Sequence, residues 1–308
     1  MYAIETYKLT KVFSGYKAVN ELDLKVPMGS IYGFLGPNGA GKTTTIKMLT
    51  GLSKPESGKI KICGREVSFG SVKNREEIGY LPDVPSFYNW MYPEEFLIFS
   101  GELLGMDRRV IKNKIEELLE LVGLSDVKKK IGGFSRGMKQ RLGIAQALIS
   151  NPKVVFLDEP TSALDPIGRK EVMDIIQKLS GKVTVFFSTH ILSDIERVCD
   201  RVIILDKGKA IIEDTLDNLR REYSMRLIAL EVENATDIEK TIGIVKEQKY
   251  ISSIKVNEEN EIRLSVADMR EAQLKIPGIL SGYNIPLKKF CIIEPSLEEI
   301  FIKVVNRQ

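Results

Sequence analysis

The sequence predicts a two-domain protein, with a large α/β domain on a mostly parallel sheet followed by a smaller α+β domain. Three observations predict it. Short apolar runs ending in glycine, acid or histidine ("GSIYGFLG", "KVVFLDEP", "KVTVFFSTH") alternate with helical segments, the pattern of a buried parallel sheet. From about residue 88 to 150 apolar residues recur at threes and fours, which marks a helical insert. After Arg221 the order of elements becomes β-α-β-β-α-β, the ferredoxin-like arrangement.

Each element follows from local pattern. The segment to about residue 85 reads as strands, turns and one helix, with "GSIYGFLG" a short strand and the helix running from Lys42 to Leu49. In the insert, "EEFLIFSGELLG" and "VIKNKIEELLELVGL" are amphipathic helices, and a further helix begins near Met138. "EVMDIIQKLS" is a helix between two buried strands, and "RVIILDKGKAIIED" is a hairpin turning through Lys207 and Gly208. In the second domain "SMRLIALEVE", "ISSIKV", "EIRLSV" and "IPLKKFCII" are strands. "ATDIEKTIGIVKEQ" is a helix and "DMREAQLKIPGIL" is partly helical. Ser296, after Pro295 and three residues before Glu299, reads as a capping box opening a last helix.

Composition removes several classes of function. Lys+Arg 45 against Asp+Glu 42 leaves a net charge of +3, no global reason to expect nucleic acid or an acidic substrate. No apolar run approaches the roughly 20 residues needed to span a bilayer, and "MYAIETYKLTKVF" lacks the apolar core of a signal peptide. The expected location is therefore the cytoplasm. Cys63, Cys199 and Cys291 are far apart and form no CxxC, so they read as buried reduced thiols rather than a metal site.

"GPNGAGKTTT" fits G-x-x-x-x-G-K-[ST] over Gly36 to Thr43, after a strand and before a helix. The residues Gly36, Pro37, Asn38, Gly39, Ala40, Gly41, Lys42, Thr43 and Thr44 form a loop whose N–H groups curl toward phosphate oxygens. The helix start adds positive potential, Lys42 reaches the β- and γ-phosphates, and the Thr43 hydroxyl faces Mg2+. The bland alternative is a glycine-rich turn. At the end of "VVFLDEP", Asp158 and Glu159 stand side by side, costly at a strand mouth without a cation. Asp158 suits Mg2+, and Glu159, pointing the other way, suits a general base for the attacking water. Two acids capping the next turn is the alternative.

"GPNGAGKTTT", "FSRGMKQRLGIAQAL", "VVFLDEPTSALDP" and "VFFSTH" occur in that order, and with them the first 215 or so residues resemble the nucleotide-binding subunit of an ABC transporter. The resemblance implies a P-loop ATPase core of that family: a mostly parallel sheet, an antiparallel β subdomain and a helical subdomain, binding ATP with Mg2+. It divides the chain into an ATP-binding domain, 1–221, and an accessory domain, 222–308. The second motif is the diagnostic one. In "FSRGMKQR", Phe134, Arg136 and Met138 depart from the usual LSGGQ signature. The resemblance implies that Ser135 and Gly137 cap the γ-phosphate held by the other subunit of a head-to-tail dimer, and that Asp165 in "TSALDP" bridges the two subunits. Ser135 and Asp165 also read as helix N-caps, a role compatible with the first. His190, the one histidine of the chain, matches the family's histidine that contacts the γ-phosphate and the water.

Two positions stay open. Phe13 aligns with the aromatic that stacks on adenine, with Tyr16 as its competitor, and both also read as surface aromatics. Asp83 in "IGYLPDVPSFY" stands where the family carries a glutamine that touches Mg2+; an aspartate there is shorter and charged. The carboxylate and the tail ending "PSLEEIFIKVV" resemble the ABC-2 drug and antibiotic exporter branch. That branch implies a separate ABC-2 type transmembrane permease, a homodimer or a paralogous partner, no nucleic acid, and attachment to the inner face of the cell membrane through the permease. The competing reading is a soluble ATPase of this family acting on ribosomes or DNA. Such proteins generally carry two cassettes or a long coiled coil, and this chain has one cassette and no heptad run.

Overall fold

A computed structural model of the chain describes residues 1–71, 75–224, 227–257, 260–293, 297–298 and 300–301. In chain order its elements are β1 (Tyr2–Phe13), β2 (Tyr16–Pro27), β3 (Ile31–Leu35), α1 (Lys42–Leu49), β4 (Ser57–Ile62), β5 (Arg65–Glu66), β6 (Ile78–Leu81), α2 (Pro93–Leu103), α3 (Arg108–Leu121), α4 (Arg136–Leu148), β7 (Val154–Asp158), α5 (Pro166–Lys178), β8 (Thr184–Thr189), α6 (Leu192–Val198), β9 (Arg201–Asp206), β10 (Lys209–Thr215), α7 (Leu216–Ser224), β11 (Leu227–Val232), α8 (Asp237–Lys246), β12 (Ile251–Val256), β13 (Ile262–Val266), α9 (Met269–Gly282) and β14 (Leu287–Ile292). They fall into two compact units, Met1–Leu216 and Asp217–Gln308. The division comes at the start of α7, ahead of the expected boundary at 221. The change in composition falls within that helix, whereas the contacts change at its beginning.

In the first unit a six-stranded sheet runs in the order β10-β9-β3-β8-β7-β6. β3, β8, β7 and β6 pair in parallel, and β10 adds an antiparallel edge through a hairpin. Lys207 and Gly208 both take positive φ, 45° and 79°, the turn whose twist matches its strands. β3, β7 and β8 are buried at every residue, as strands covered on both faces must be. A second, antiparallel sheet, β2-β1-β4-β5, packs with α1 over one face. The shared core centres on Phe186, whose ring lies 4.9 Å from Phe34, 5.6 Å from Tyr32 and 5.7 Å from Phe156. The helices α2, α3 and α4 occupy the span read as a helical insert; α4 starts at Arg136, two residues before the expected Met138, because Ser135 caps it.

The second unit has the strand order β12-β13-β11-β14, antiparallel throughout. This is the ferredoxin-like arrangement, with α8 and α9 supplying core residues such as Val245, Ile276 and Leu280. The expectation of a partly helical "DMREAQLKIPGIL" is corrected: α9 runs through Pro277 without a break. Proline inside a helix costs about 3 kcal/mol, but Ala272, Ile276 and Leu280 bury one stripe of the helix. Burying two large aliphatic side chains at about 1.5–3 kcal/mol each offsets that cost. The expected capping box at Ser296 and Glu299 lies outside the described residues. The three cysteines are free but only partly buried, not fully buried as expected.

Candidate functional site

Parallel strands point their C-terminal ends the same way, and open α/β sheets bind ligands beyond those ends. The ends of β3, β8, β7 and β6 are adjacent in that order. β3 leads into the glycine loop, β8 into His190, β7 into Asp158 and Glu159, and β6 toward Asp83. A cavity of about 520 Å3 lies there, lined by Phe13, Tyr16, Asn38, Gly39, Gly41, Lys42, Thr43, Thr44, Asp83, Glu159 and His190, among others.

The glycine loop closes tightly on its surroundings. Gly41, with φ 99°, caps α1, and a Cβ there would sit 2.3 Å from the Ala18 carbonyl oxygen. A Cβ on Gly36 would lie 2.7 Å from the Leu205 carbonyl oxygen. Only glycine fits both. The Lys42 ammonium, 6% exposed, donates to the carbonyls of Gly36 at 2.7 Å and Pro37 at 3.2 Å, and lies 3.1 Å from Glu159 Oε1. Glu159 Oε2 is 2.9 Å from His190 Nδ1. One carboxylate thus joins the lysine of one loop to the histidine of another. Glu159 holds φ 48°, sparsely populated for a residue with a side chain, immediately after β7. That kink turns Glu159 toward Lys42 and His190 while Asp158 stays in the strand.

Asp158 is 1% exposed. It accepts hydrogen bonds from Thr43 Oγ1 at 3.1 Å and Ser188 Oγ at 2.7 Å, and the Ser188 hydroxyl accepts one from the Glu159 N–H at 3.0 Å. Burial pushes the Asp158 carboxyl up from the ordinary range, the two hydroxyls pull it down, and the charges of Glu159 and Asp83 push it up again. A buried carboxylate crowded by acids and paired with a hydroxyl fits a hard cation. Among the described residues no group of three or more His, Cys, Asp or Glu could hold a metal. The protein side of this site is therefore one carboxylate and one hydroxyl, which suits an ion that brings waters and phosphate oxygens with it.

Other predicted residues lie elsewhere. Ser135 is exposed at the start of α4 and accepts from the Met138 N–H at 3.2 Å; Gly137 follows in the first turn. Asp165 is exposed and caps α5, accepting from the Gly168 N–H at 3.1 Å. Neither Ser135 nor Gly137 nor Asp165 lines the cavity of this chain. Asp83 lines it, with its Oδ1 3.9 Å from Arg136 Nη2 and its carbonyl accepting from Gln140 Nε2 at 2.9 Å. Phe13 and Tyr16 both line the mouth, 51% and 55% exposed, so the fold does not choose between them. Ser188 is the residue that sequence reasoning missed. Its signal was a hydroxyl in an otherwise apolar strand, in register with Asp158 across β7 and β8.

Comparison with known proteins gives the family. A model of the ABC transporter family matches residues 19–162, and a model of the C-terminal domain of DrrA1-3-like ATP-binding proteins matches residues 215–305. YxlF, an uncharacterized ABC transporter ATP-binding protein of Bacillus subtilis, is 40% identical over 307 residues, covering 99% of this chain and all of that protein. This chain belongs to the ATP-binding ATPase subunits of ABC transporters. Among further relatives, BcrA of Bacillus licheniformis, a bacitracin transport ATP-binding protein, is 39% identical over 98% of this chain and 97% of its own length. DrrA of Streptomyces peucetius, a daunorubicin/doxorubicin resistance ATP-binding protein, is 31% identical over 99% of this chain and 92% of its own. A solved cassette described as a dimer in a post-hydrolysis state with ADP and Pi aligns with a TM-score of 0.61 at 25% identity, covering 69% of this chain and 98% of that one. The ATP-binding subunit therefore binds nucleotide. Subunits of this kind assemble as dimers and work with membrane permeases. Among the described residues no helix is long and apolar enough to cross a membrane.

Proposed function

We propose that this subunit hydrolyses Mg-ATP between two cassettes and powers an ABC-2 type permease that exports an antibiotic or drug-like compound. The carrying observation is the Lys42–Glu159–His190 contact facing the cavity, with Asp158 and Thr43 beside it. Export rests on the relatives whose names record bacitracin transport and daunorubicin/doxorubicin resistance. Attachment to the inner face of the cell membrane follows from the permease, and the two cassettes are identical copies or paralogues.

The chain's own groups divide the work. N–H groups from Asn38 to Thr44 hold the phosphates, and Lys42 exchanges its contact with Glu159 for the phosphate charge. Thr43 and Asp158, with Asp83 nearby, would hold Mg2+, which would supply charge neutralisation when bound. Freed of Lys42, Glu159 takes the proton of the attacking water, and His190 donates toward the γ-phosphate and steadies Glu159. Phe13 or Tyr16 stacks on the base. Ser135, Gly137 and Asp165 stand outside the chain's own cavity, and a second copy docked head to tail presents them to it. Ser135 and the start of α4 then offer a hydroxyl and the positive end of a helix to phosphate.

Glu159→Gln tests this reading. It should abolish turnover, leave ATP binding intact and accumulate an ATP-bound dimer seen by light scattering. Unchanged ATPase rates would remove Glu159 from its role.

A further inference from the structure

One buried carboxylate of the first unit takes no part in the cavity. Asp194 is 2% exposed and lies in the first turn of α6, four residues after His190. An acid there ordinarily serves its own helix start. The Asp194 carboxylate instead accepts from two other segments. Thr161 Oγ1 donates to its Oδ2 at 2.6 Å and Arg169 Nε to its Oδ1 at 2.6 Å; Arg169 Nη2 also donates to Ser193 Oγ at 2.6 Å.

Those donors sit at chosen places. Thr161, itself 2% exposed, follows Glu159 by two residues. Arg169 is one turn into α5, the helix capped by Asp165. A single carboxylate therefore ties the loop carrying Glu159 and the helix behind Asp165 to the helix that follows His190. The visible His190–Glu159 contact spans the same two loops, but the His190 side chain is 43% exposed. A contact open to water holds two loops weakly, whereas short, charge-assisted bonds to a buried carboxylate hold them firmly.

We propose that Asp194 is a positioning residue for hydrolysis: through Thr161 and Arg169 it sets the spacing at which His190 meets Glu159. The inference rests on the reading of Glu159 and His190 given above. Since Asp194 does not line the cavity, its loss should slow chemistry without weakening nucleotide binding. Misplacing a reacting group by about 1 Å costs on the order of 100-fold in rate.

The test uses the full-length chain without a polyhistidine tag, so that its one histidine gives one imidazole Cε1–H resonance. Asp194→Asn should lower kcat at least about tenfold, keep the KM for ATP within about threefold, and move that resonance by more than its linewidth. Thr161→Val removes one donor at nearly constant shape and should act in the same direction; Thr161→Ser keeps the hydroxyl and should restore both readouts. The Thr161 pair decides the matter if Asp194→Asn does not fold. An unmoved resonance, or an ATP affinity that falls as far as kcat does, would overturn the proposal. A wild-type chain that does not hydrolyse ATP would instead overturn the functional reading, because the resonance still reports on the spacing.

Discussion

Substitution at Gly137 tests what the fold needs against what a second subunit would need. Gly137 lies in the first turn of α4, and its φ is not positive. A Cβ built there meets nothing closer than the Gly168 Cα at 3.8 Å and the Leu164 Cδ2 at 4.0 Å, ordinary van der Waals distances. Within one chain, Gly137→Ala is therefore free of clash. It replaces the poorest non-proline helix former with the best, a gain of at most about 1 kcal/mol and less this near the helix end. Thermal unfolding should show a midpoint unchanged or raised by a few degrees. If the backbone at Gly137 approaches a phosphate bound to a neighbouring copy, the added methyl stands in the way. ATP hydrolysis should then fall by at least about tenfold, equivalent to about 1.4 kcal/mol of lost transition-state stabilisation. Chromatography of the Glu159→Gln, Gly137→Ala double variant with Mg-ATP should show reduced dimer. A stable Gly137→Ala protein with wild-type turnover would refute the head-to-tail assignment.

Two further outcomes follow from buried polar contacts. Ser188→Ala removes the acceptor of the Glu159 N–H and one of the two donors to Asp158; at about 1–3 kcal/mol for an unsatisfied group, urea denaturation should show a loss of roughly 1–3 kcal/mol, and a loss below about 0.5 kcal/mol would show that these bonds do not hold the site together. In the second unit, Glu261 accepts from Lys289 at 2.7 Å and Arg263 at 2.9 Å, and these bonds, Lys289 first, hold its carboxyl below the ordinary range against a smaller upward push from burial. Its folded value lies below its unfolded one, so its contribution is present above the ordinary carboxylate range and fades as pH falls through the folded value. Glu261→Gln should therefore cost about 1 kcal/mol at pH 7, with the gap between the two proteins closing in acid; a gap independent of pH would sink this account.

Much of this protein was legible because its chemistry is local. The glycine loop, the strand-end acids and the strand-end histidine are short runs whose conformation follows from residue type: glycine for positive φ, apolar runs for buried strands. α1 begins and ends where its sequence says, and the ferredoxin-like order survives intact because each strand and helix carries its own period. Pro277 misled the reading, since a local rule against proline in helices yields to a buried stripe that only packing reveals. Ser188 was passed over for the same reason. A serine in a strand is unremarked until the register of β8 against β7 brings it beside Asp158.

The sequence by itself determined the glycine loop, the strand-end acids and the strand-end histidine, and the order in which they lie along the chain. Only the tertiary structure decided that Lys42, Glu159 and His190, more than 100 residues apart at the extremes, meet at one sheet edge, and that Asp194 joins Thr161 to Arg169. Parallel strands must be joined by long crossovers, so neighbours in the sheet are distant in sequence. No local pattern records that adjacency; it exists only once the strands have paired.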